Sequence, residues 1–160
     1  MLRVEPITLA WAEALAEDDV EFARRFGVTV EPGWDGFPEV IGFLLKAARG
    51  EFGPSEWGPH LIFAADGALV GNGGWKGPPT DGVAELGYAV APGRQGRGIA
   101  TSVVRELVER ARAAGVHVVV AHTLPATSAS TAVLTRCGFE KVADVVDPHD
   151  GPVWRWELRF

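Results

Sequence analysis

Residues 85–101 read Glu85-Leu86-Gly87-Tyr88-Ala89-Val90-Ala91-Pro92-Gly93-Arg94-Gln95-Gly96-Arg97-Gly98-Ile99-Ala100-Thr101. The first half has the character of a strand, Pro92 to Gly98 reads as a loop, and a long helical pattern follows from about Ile99 to Ala113. A strand that opens through glycines onto a helix makes an anion site. The N–H groups of a helix's first turn have no partner within it and carry partial positive charge, so they attract phosphate. Gly96, Gly98 and the small Ala100 let a pyrophosphate reach the backbone without a Cβ in the way. Arg94 and Arg97 add positive charge nearby, or are simply solvated. Two other phosphate loops are excluded. A Walker loop requires Lys-Ser/Thr after its last glycine, where this chain has Ile99-Ala100. The dinucleotide fingerprint needs three glycines in a parallel sheet near the chain start, and neither condition holds.

Working outward, Val103, Val104, Leu107, Val108 and Ala111 repeat at three and four, and Gly115 punctuates the helix end. Downstream, Val116 to Ala121 reads as a buried strand and Ala129 to Arg136 as a helix stopped by Gly138. Phe139 to Val146 and Val153 to Phe160 read as a hairpin around Asp147-Pro148-His149-Asp150-Gly151. Upstream, Val83 to Val90 closes a meander whose earlier strands are His60 to Ala65 and Ala68 to Lys76, joined at Asp66-Gly67. Leu2 to Ile7 is a short first strand, and Thr8 caps a helix to about Glu17. Asp18 and Asp19 restart the chain as a second helix with Val20, Phe22 and Phe26 on its buried side and Gly27 as its stop. A third helix opens at Phe37-Pro38-Glu39 and carries Val40, Ile41, Phe43, Leu44 and Ala47 at helical spacing. Gly50 to Pro59 reads as a loop. The order predicts an α/β (α+β) protein in a single domain over 1–160. Its central sheet of about seven strands is mixed and mainly antiparallel, flanked by helices.

The composition fits that reading. A chain of 160 residues, 47% hydrophobic and 22% charged, has room for one well-formed core. No apolar run approaches the roughly 18 residues of a membrane span, and Met1 to Pro6 lacks the basic-then-apolar pattern of a signal peptide. A single cysteine, Cys137, cannot form an internal disulfide, which points to the cytoplasm. The net charge of -6 argues against nucleic acid and suits a cationic substrate.

Gln95-Gly96-Arg97-Gly98-Ile99-Ala100 matches Gln/Arg-x-x-Gly-x-Gly/Ala, the coenzyme A signature of the GNAT N-acetyltransferase superfamily, which this sequence resembles. The motif follows Leu86-Gly87-Tyr88-Ala89-Val90-Ala91-Pro92 and precedes a helix. A second family-like block runs from Ala121-His122-Thr123-Leu124-Pro125 through Val133-Leu134-Thr135-Arg136-Cys137-Gly138-Phe139. The resemblance is sharp from about Glu85 to Phe139 and looser elsewhere. It looks like the subgroup holding ribosomal-protein N-terminal acetyltransferases and many small-molecule relatives. It implies the GNAT fold and transfer of an acetyl group from acetyl-CoA to a primary amine, either on a small molecule or at a protein N-terminus. A homodimer is implied with it. The alternative is a non-catalytic acyl-CoA-binding or regulatory module on the same fold.

Carried over, the resemblance puts the Ala89 and Val90 backbone against the pantetheine arm. It puts the N–H groups of Gln95, Gly96, Arg97, Gly98, Ile99 and Ala100 around the pyrophosphate, with the Thr101 hydroxyl beside them. The Val90 N–H would polarise the thioester carbonyl, and the pantetheine would lie where this strand splays from the Val116–Thr123 strand. An alkyl ammonium has to lose a proton before it can attack, so a base is needed. Glu85 is the leading candidate, directly or through water; its alternative is a solvated strand glutamate. His122, at the end of the bordering strand, is the second candidate, against a structural histidine bonded to backbone. A tyrosine common four residues before the Gly-Phe pair is Leu134 here, and Tyr88, the only tyrosine, reads as core. The departing thiolate is stable enough for water to protonate it. Ser130 and Thr127 could orient cofactor or leaving group, or cap the helix. Trp34 and Trp75 could line the acceptor pocket, with core packing as the alternative. Cys137 reads as packing. His60, His117 and His149 show no ligand spacing, so no metal is expected. Acceptor choice falls to the segment Val28 to Trp57.

Overall fold

The computed structural model describes residues 1–160. Seven strands form one sheet: β1 (Arg3–Pro6), β2 (Pro59–Phe63), β3 (Leu69–Trp75), β4 (Val83–Val90), β5 (Val118–Thr123), β6 (Glu140–Asp147) and β7 (Gly151–Arg159). Their order is β1-β2-β3-β4-β5-β7-β6. Every neighbouring pair is antiparallel except β4 and β5, which are parallel. That exception follows from the chain between them. The helix α4 (Ile99–Ala113) is a crossover long enough to bring the chain back to the bottom of the sheet.

Alternating strand residues feed two cores. On one face Ile62, Val70, Leu86 and Val119 pack with Val103, Val104 and Leu107 of α4 and with Leu134 of α5 (Ala129–Arg136). On the other face Leu61, Phe63 and Leu69 pack under α1 (Leu9–Glu17), α2 (Asp19–Phe26) and α3 (Val40–Ala48). Leu107 is fully buried, and its truncation to alanine is worth about 2–5 kcal/mol.

The local signals behave as their chemistry dictates. Thr8 accepts the Trp11 N–H, Asp18 accepts the Glu21 N–H, and Gly27 closes α2 in the left-handed region. Val20, expected on the buried side of α2, is 76% exposed. It stands two positions before Phe22, a rotation of about 200° around a helix; only Phe22 and Phe26, one turn apart, share the inner stripe. β5 starts at Val118 rather than Val116, because the Val116 N–H is taken by the Ala111 carbonyl at the helix exit. Nothing in the chain forms a helix long and apolar enough to cross a membrane.

One irregularity of the sheet prepares the site. The β4–β5 ladder runs only from Val83–Val118 to Leu86–Ala121. Beyond it β4 stays with β3 as far as Val90, while β5 stays with β7 as far as Thr123. Each strand follows its outer partner, so the two part and leave a wedge open toward their C-terminal ends.

Candidate active site

The register of β4 decides which of its main-chain groups line the wedge. Lys76 donates its N–H to the Glu85 carbonyl and Ala91 donates to the Val70 carbonyl. Antiparallel alternation then assigns the peptide groups of Glu85, Gly87, Ala89 and Ala91 to β3. Those of Leu86, Tyr88 and Val90 face the other way. Leu86 is the last to meet β5, so the amides of Tyr88 and Val90 point into the open wedge. This corrects the expectation for Ala89, whose peptide groups are engaged with Asn72 on β3. It also brings forward Tyr88, whose amide sits nearer the wedge apex than that of Val90.

The loop that follows is fixed by four contacts. Gln95 uses its side-chain Nε2 to donate to the Val90 carbonyl at 3.0 Å, tying loop to strand. Its own N–H is taken by the Pro92 carbonyl, so it is not free for a phosphate. Arg94 is neither solvated nor aimed at the loop mouth. It bridges Glu31 at 3.1 Å and Asp66 at 2.9 Å, and the hydrogen bonds it donates to Asp66 and then to Glu31 hold its pKa above the ordinary arginine value. Beyond Gln95, the N–H groups of Gly96, Arg97, Gly98, Ile99, Ala100 and Thr101 have no acceptor within the protein. Gly96 and Gly98 both adopt positive φ, 77° and 78°, and a Cβ on either would point into open space. That backbone turns a run of six donors outward at the positive end of α4. Arg97 has no ion-pair partner among the salt bridges of the chain, unlike Arg94.

On the face of the sheet opposite α4, three side chains meet at the wedge apex. Glu85 Oε2 lies 3.1 Å from His122 Nδ1 and 2.7 Å from Lys76 Nζ. Burial alone would raise the Glu85 carboxyl. The Lys76 hydrogen bond and charge, then those of His122, outweigh it and hold the group below the ordinary glutamate range. An ionised carboxylate only accepts, so His122 donates from Nδ1, which in the neutral ring leaves the lone pair on Nε2. Arg155 stands directly across from His122 on β7 and is drawn to Glu157 at 3.0 Å. Lys76 was not among the expected site residues. Its signal lay in hairpin register: a turn at Pro78 to Gly82 sets Lys76 opposite Glu85.

Several expected residues fall elsewhere. Trp34 and Trp75 are each only 1% exposed. The Trp34 indole donates to Asp19 at 3.0 Å, and Trp75 packs edge-on against Trp57 in the core. Neither side chain reaches an acceptor, because each ring completes a core that would open without it. Leu134 is fully buried, so no hydroxyl reaches the wedge from that position. Tyr88 instead extends to the start of α5, where its hydroxyl donates to the Ser130 carbonyl and lies 3.0 Å from the Ser130 Oγ. Burial pushes its phenol above the ordinary tyrosine range. Ser130 is thereby engaged with Tyr88, and Thr127 is exposed beside the true cap, Ser128, which forms a capping box with Thr131. Thr101 is largely buried in the first turn of α4. Cys137 Sγ lies 3.8 Å from the Thr101 carbonyl, and burial pushes its thiol up, away from nucleophilic use.

The profile of the Acetyltransferase (GNAT) domain matches residues 2–140. The chain therefore belongs to the GNAT acetyltransferase family. Among solved structures, a chimera of the Vibrio cholerae spermidine N-acetyltransferase SpeG with hSSAT aligns at TM-score 0.72 and 15% identity, covering 99% of this chain and 95% of that one. The ribosomal-protein-S5-alanine acetyltransferase of Vibrio fischeri aligns at TM-score 0.68 and 16% identity, covering 99% and 92%. Mycobacterium smegmatis RimJ, in complex with CoA-disulfide, aligns at TM-score 0.68 and 21% identity, covering 99% and 81%. At these identities the likeness speaks to the fold. No curated protein matches the sequence at a significant level. The activity of the family is acetyl transfer from acetyl-CoA to an amine, and the unpaired donors of 96–101 leading to the wedge amides fit a coenzyme A thioester.

Proposed function

We propose that this protein is an acetyl-CoA-dependent N-acetyltransferase in which His122 is the base and Glu85 positions it. The observation that carries the assignment is the Lys76–Glu85–His122 cluster at the wedge apex. A carboxylate held ionised by an ammonium is a poor proton acceptor, whereas an imidazole whose Nδ1–H is pinned by that carboxylate offers a fixed Nε2 lone pair. Glu85 thus moves from the leading base to the residue that sets the tautomer and orientation of His122 and balances its charge after proton uptake.

The remaining roles follow from the main chain. The N–H groups of Gly96 to Thr101 bind the pyrophosphate, helped by Arg97. Tyr88 and Val90 hold the pantetheine arm, and the Tyr88 N–H, nearest the apex, polarises the thioester carbonyl. The thioester supplies an activated acetyl group with a leaving thiolate that needs no strong acid. Tyr88 also clamps α5 through Ser130 and so fixes the far wall of the wedge.

The acceptor is a primary amine with a single cationic centre at its reacting end, a small monoamine or a protein N-terminus. Lys76 already pairs with Glu85, and Arg155 stands across from His122, so two cations border the apex, which disfavours a polycation. The unpaired outer edge of β6, where Val142 and Val146 are exposed, is the surface on which a second copy would form the dimer; sedimentation at micromolar concentration tests it. The single cysteine supports a cytoplasmic setting.

The test is the pH–rate profile with acetyl-CoA and a panel containing spermidine, an aminoglycoside and peptides with small N-terminal residues. The wild-type profile should lose its acidic limb in His122→Gln and merely shift in Glu85→Gln. Equal profiles for wild type and His122→Gln would sink the assignment of the base.

A further inference from the structure

Lys76 holds a primary amine against the Glu85–His122 pair that the proposed mechanism uses for proton transfer. Its ammonium lies 2.7 Å from Glu85 Oε2, the same oxygen that fixes His122. Its Cε lies 3.8 Å from the point where a Gly87 side chain would begin, so the lysine stem crosses β4 over a residue that offers no bulk. Gly87 is the first β4 residue past the last β4–β5 pair, and thus marks the apex of the wedge. The Lys76 side chain is 58% exposed, so the ammonium can leave Glu85 and turn toward the wedge without disturbing the core.

We infer that Lys76 is a self-acetylation site: in the absence of acceptor the enzyme transfers the acetyl group to its own Lys76 Nζ. The inference rests on the acetyltransferase reading of the same site. The ammonium gives one proton to the His122–Glu85 pair. The free Nζ lone pair attacks the thioester carbonyl of acetyl-CoA, an N–C bond forms, the C–S bond breaks, and the thiolate leaves and takes up the second proton that the nitrogen sheds in becoming an amide. The products are an N-acetyl-lysine and free coenzyme A, with no oxidant or other co-reactant. The neutral amide can no longer pair with Glu85, so modification frees that carboxylate for an external ammonium.

The chain carries its own controls. It has three lysines: Lys46, Lys76 and Lys141. Lys46 is exposed on α3, and Lys141 on β6 pairs with Asp144 at 3.2 Å and lies over the Trp154 ring at 4.2 Å. Neither contacts the Glu85–His122 pair, so both report uncatalysed acetylation.

The experiment incubates the intact protein with acetyl-CoA and no acceptor, and follows an increment of about 42 Da by mass spectrometry with peptide mapping. Lys76 should be modified at least about a hundredfold faster than Lys46 or Lys141, the span of one positioned base. The rate constant should be independent of protein concentration, as expected for reaction within one chain. His122→Ala should bring Lys76 down to the level of the other two lysines, and Lys76→Arg should abolish the fast phase while the thermal unfolding curve remains intact. Uniform labelling of all three lysines, or an observed rate constant that rises with protein concentration, overturns the inference. The amine panel separates the two levels of failure. Turnover of any panel amine with slow Lys76 labelling removes self-acetylation alone. Coenzyme A binding with neither Lys76 labelling nor turnover removes the enzymatic reading and this inference with it.

Discussion

Between Gly96 and Thr101 the main chain itself presents the chemistry, six N–H groups without acceptors at the mouth of α4. At the other end of the wedge, Lys76, one residue past β3, and His122 on β5 are each brought to within about 3 Å of Glu85 on β4. The first region is local: two glycines and the start of a helix suffice for it. The second exists only because β3, β4 and β5 lie side by side. Cofactor binding should therefore respond to backbone conformation and acceptor chemistry to side-chain identity, and substitutions in one region should leave the other intact.

The largest expected effect lies in the side-chain region. His122→Ala should lower kcat about a thousandfold, within the range for a lost general base, with coenzyme A affinity unchanged by calorimetry. A parallel loss of affinity would erase the separation between the two ends.

The acceptor end also rests on an acid-sensitive support. His60 is buried against Gly74 and bonds the Gly58 carbonyl at 2.9 Å. Burial, with the Arg110 charge adding to it, pushes its imidazole down to about 4 despite the Gly58 bond. The folded value lies below that of an unfolded histidine, so the unfolded chain binds the extra proton. Stability is complete above about pH 6.5 and drains as the pH falls toward 4, by up to about 3 kcal/mol. Urea unfolding across that window should show the slope in wild type and a flatter one in His60→Gln.

A backbone change at the other end should act the other way round. Valine in place of Gly98 must adopt a φ of 78°, at about 1–2 kcal/mol, and coenzyme A affinity should fall about five- to thirtyfold. Turnover at saturating acetyl-CoA should survive; if kcat collapses instead, the loop also organises the acceptor end.

The smallest effect concerns the segment that roofs the acceptor side. Asn72 is buried and donates to the carbonyls of Trp34 and Asp35 at 3.0 and 3.1 Å, buckling that loop to β3. Nearby Gly36 lies so close to Ala89 that a Cβ there would come within 2.7 Å of its methyl carbon. Asn72→Ala should cost about 1.5 kcal/mol, read as a drop in Tm, and raise the KM for the acceptor with little change for acetyl-CoA. An unchanged acceptor KM would show that the loop is structural only.

Legibility followed the same divide. β4, α4 and α5 run over the residues their periodicity and glycines predict, because alternation, helical spacing and Gly punctuation act within a few residues. The tryptophans were the weak point. Trp34 and Trp75 gave no sequence signal to separate a pocket ring from a core ring, and both completed cores. Peptide direction was equally hidden. Whether Ala89 or Tyr88 faces the wedge depends on which carbonyls of β3 pair with β4, a property of register rather than of either residue.

By itself the sequence determined a strand that breaks through glycines into a helix and a dense set of alternating and helical segments, while the acetyltransferase fold was implied by the resemblance of Gln95 to Ala100 to the family's motif. Those features depend on φ freedom and hydrophobic period, which neighbours along the chain settle. Only the tertiary structure decided where β4 and β5 part, which amides line that gap, and that Lys76 and His122 share one oxygen of Glu85. Residues 76, 85 and 122 meet through strand pairing across 46 positions of chain, and contacts at that separation are fixed by the packing of the whole sheet.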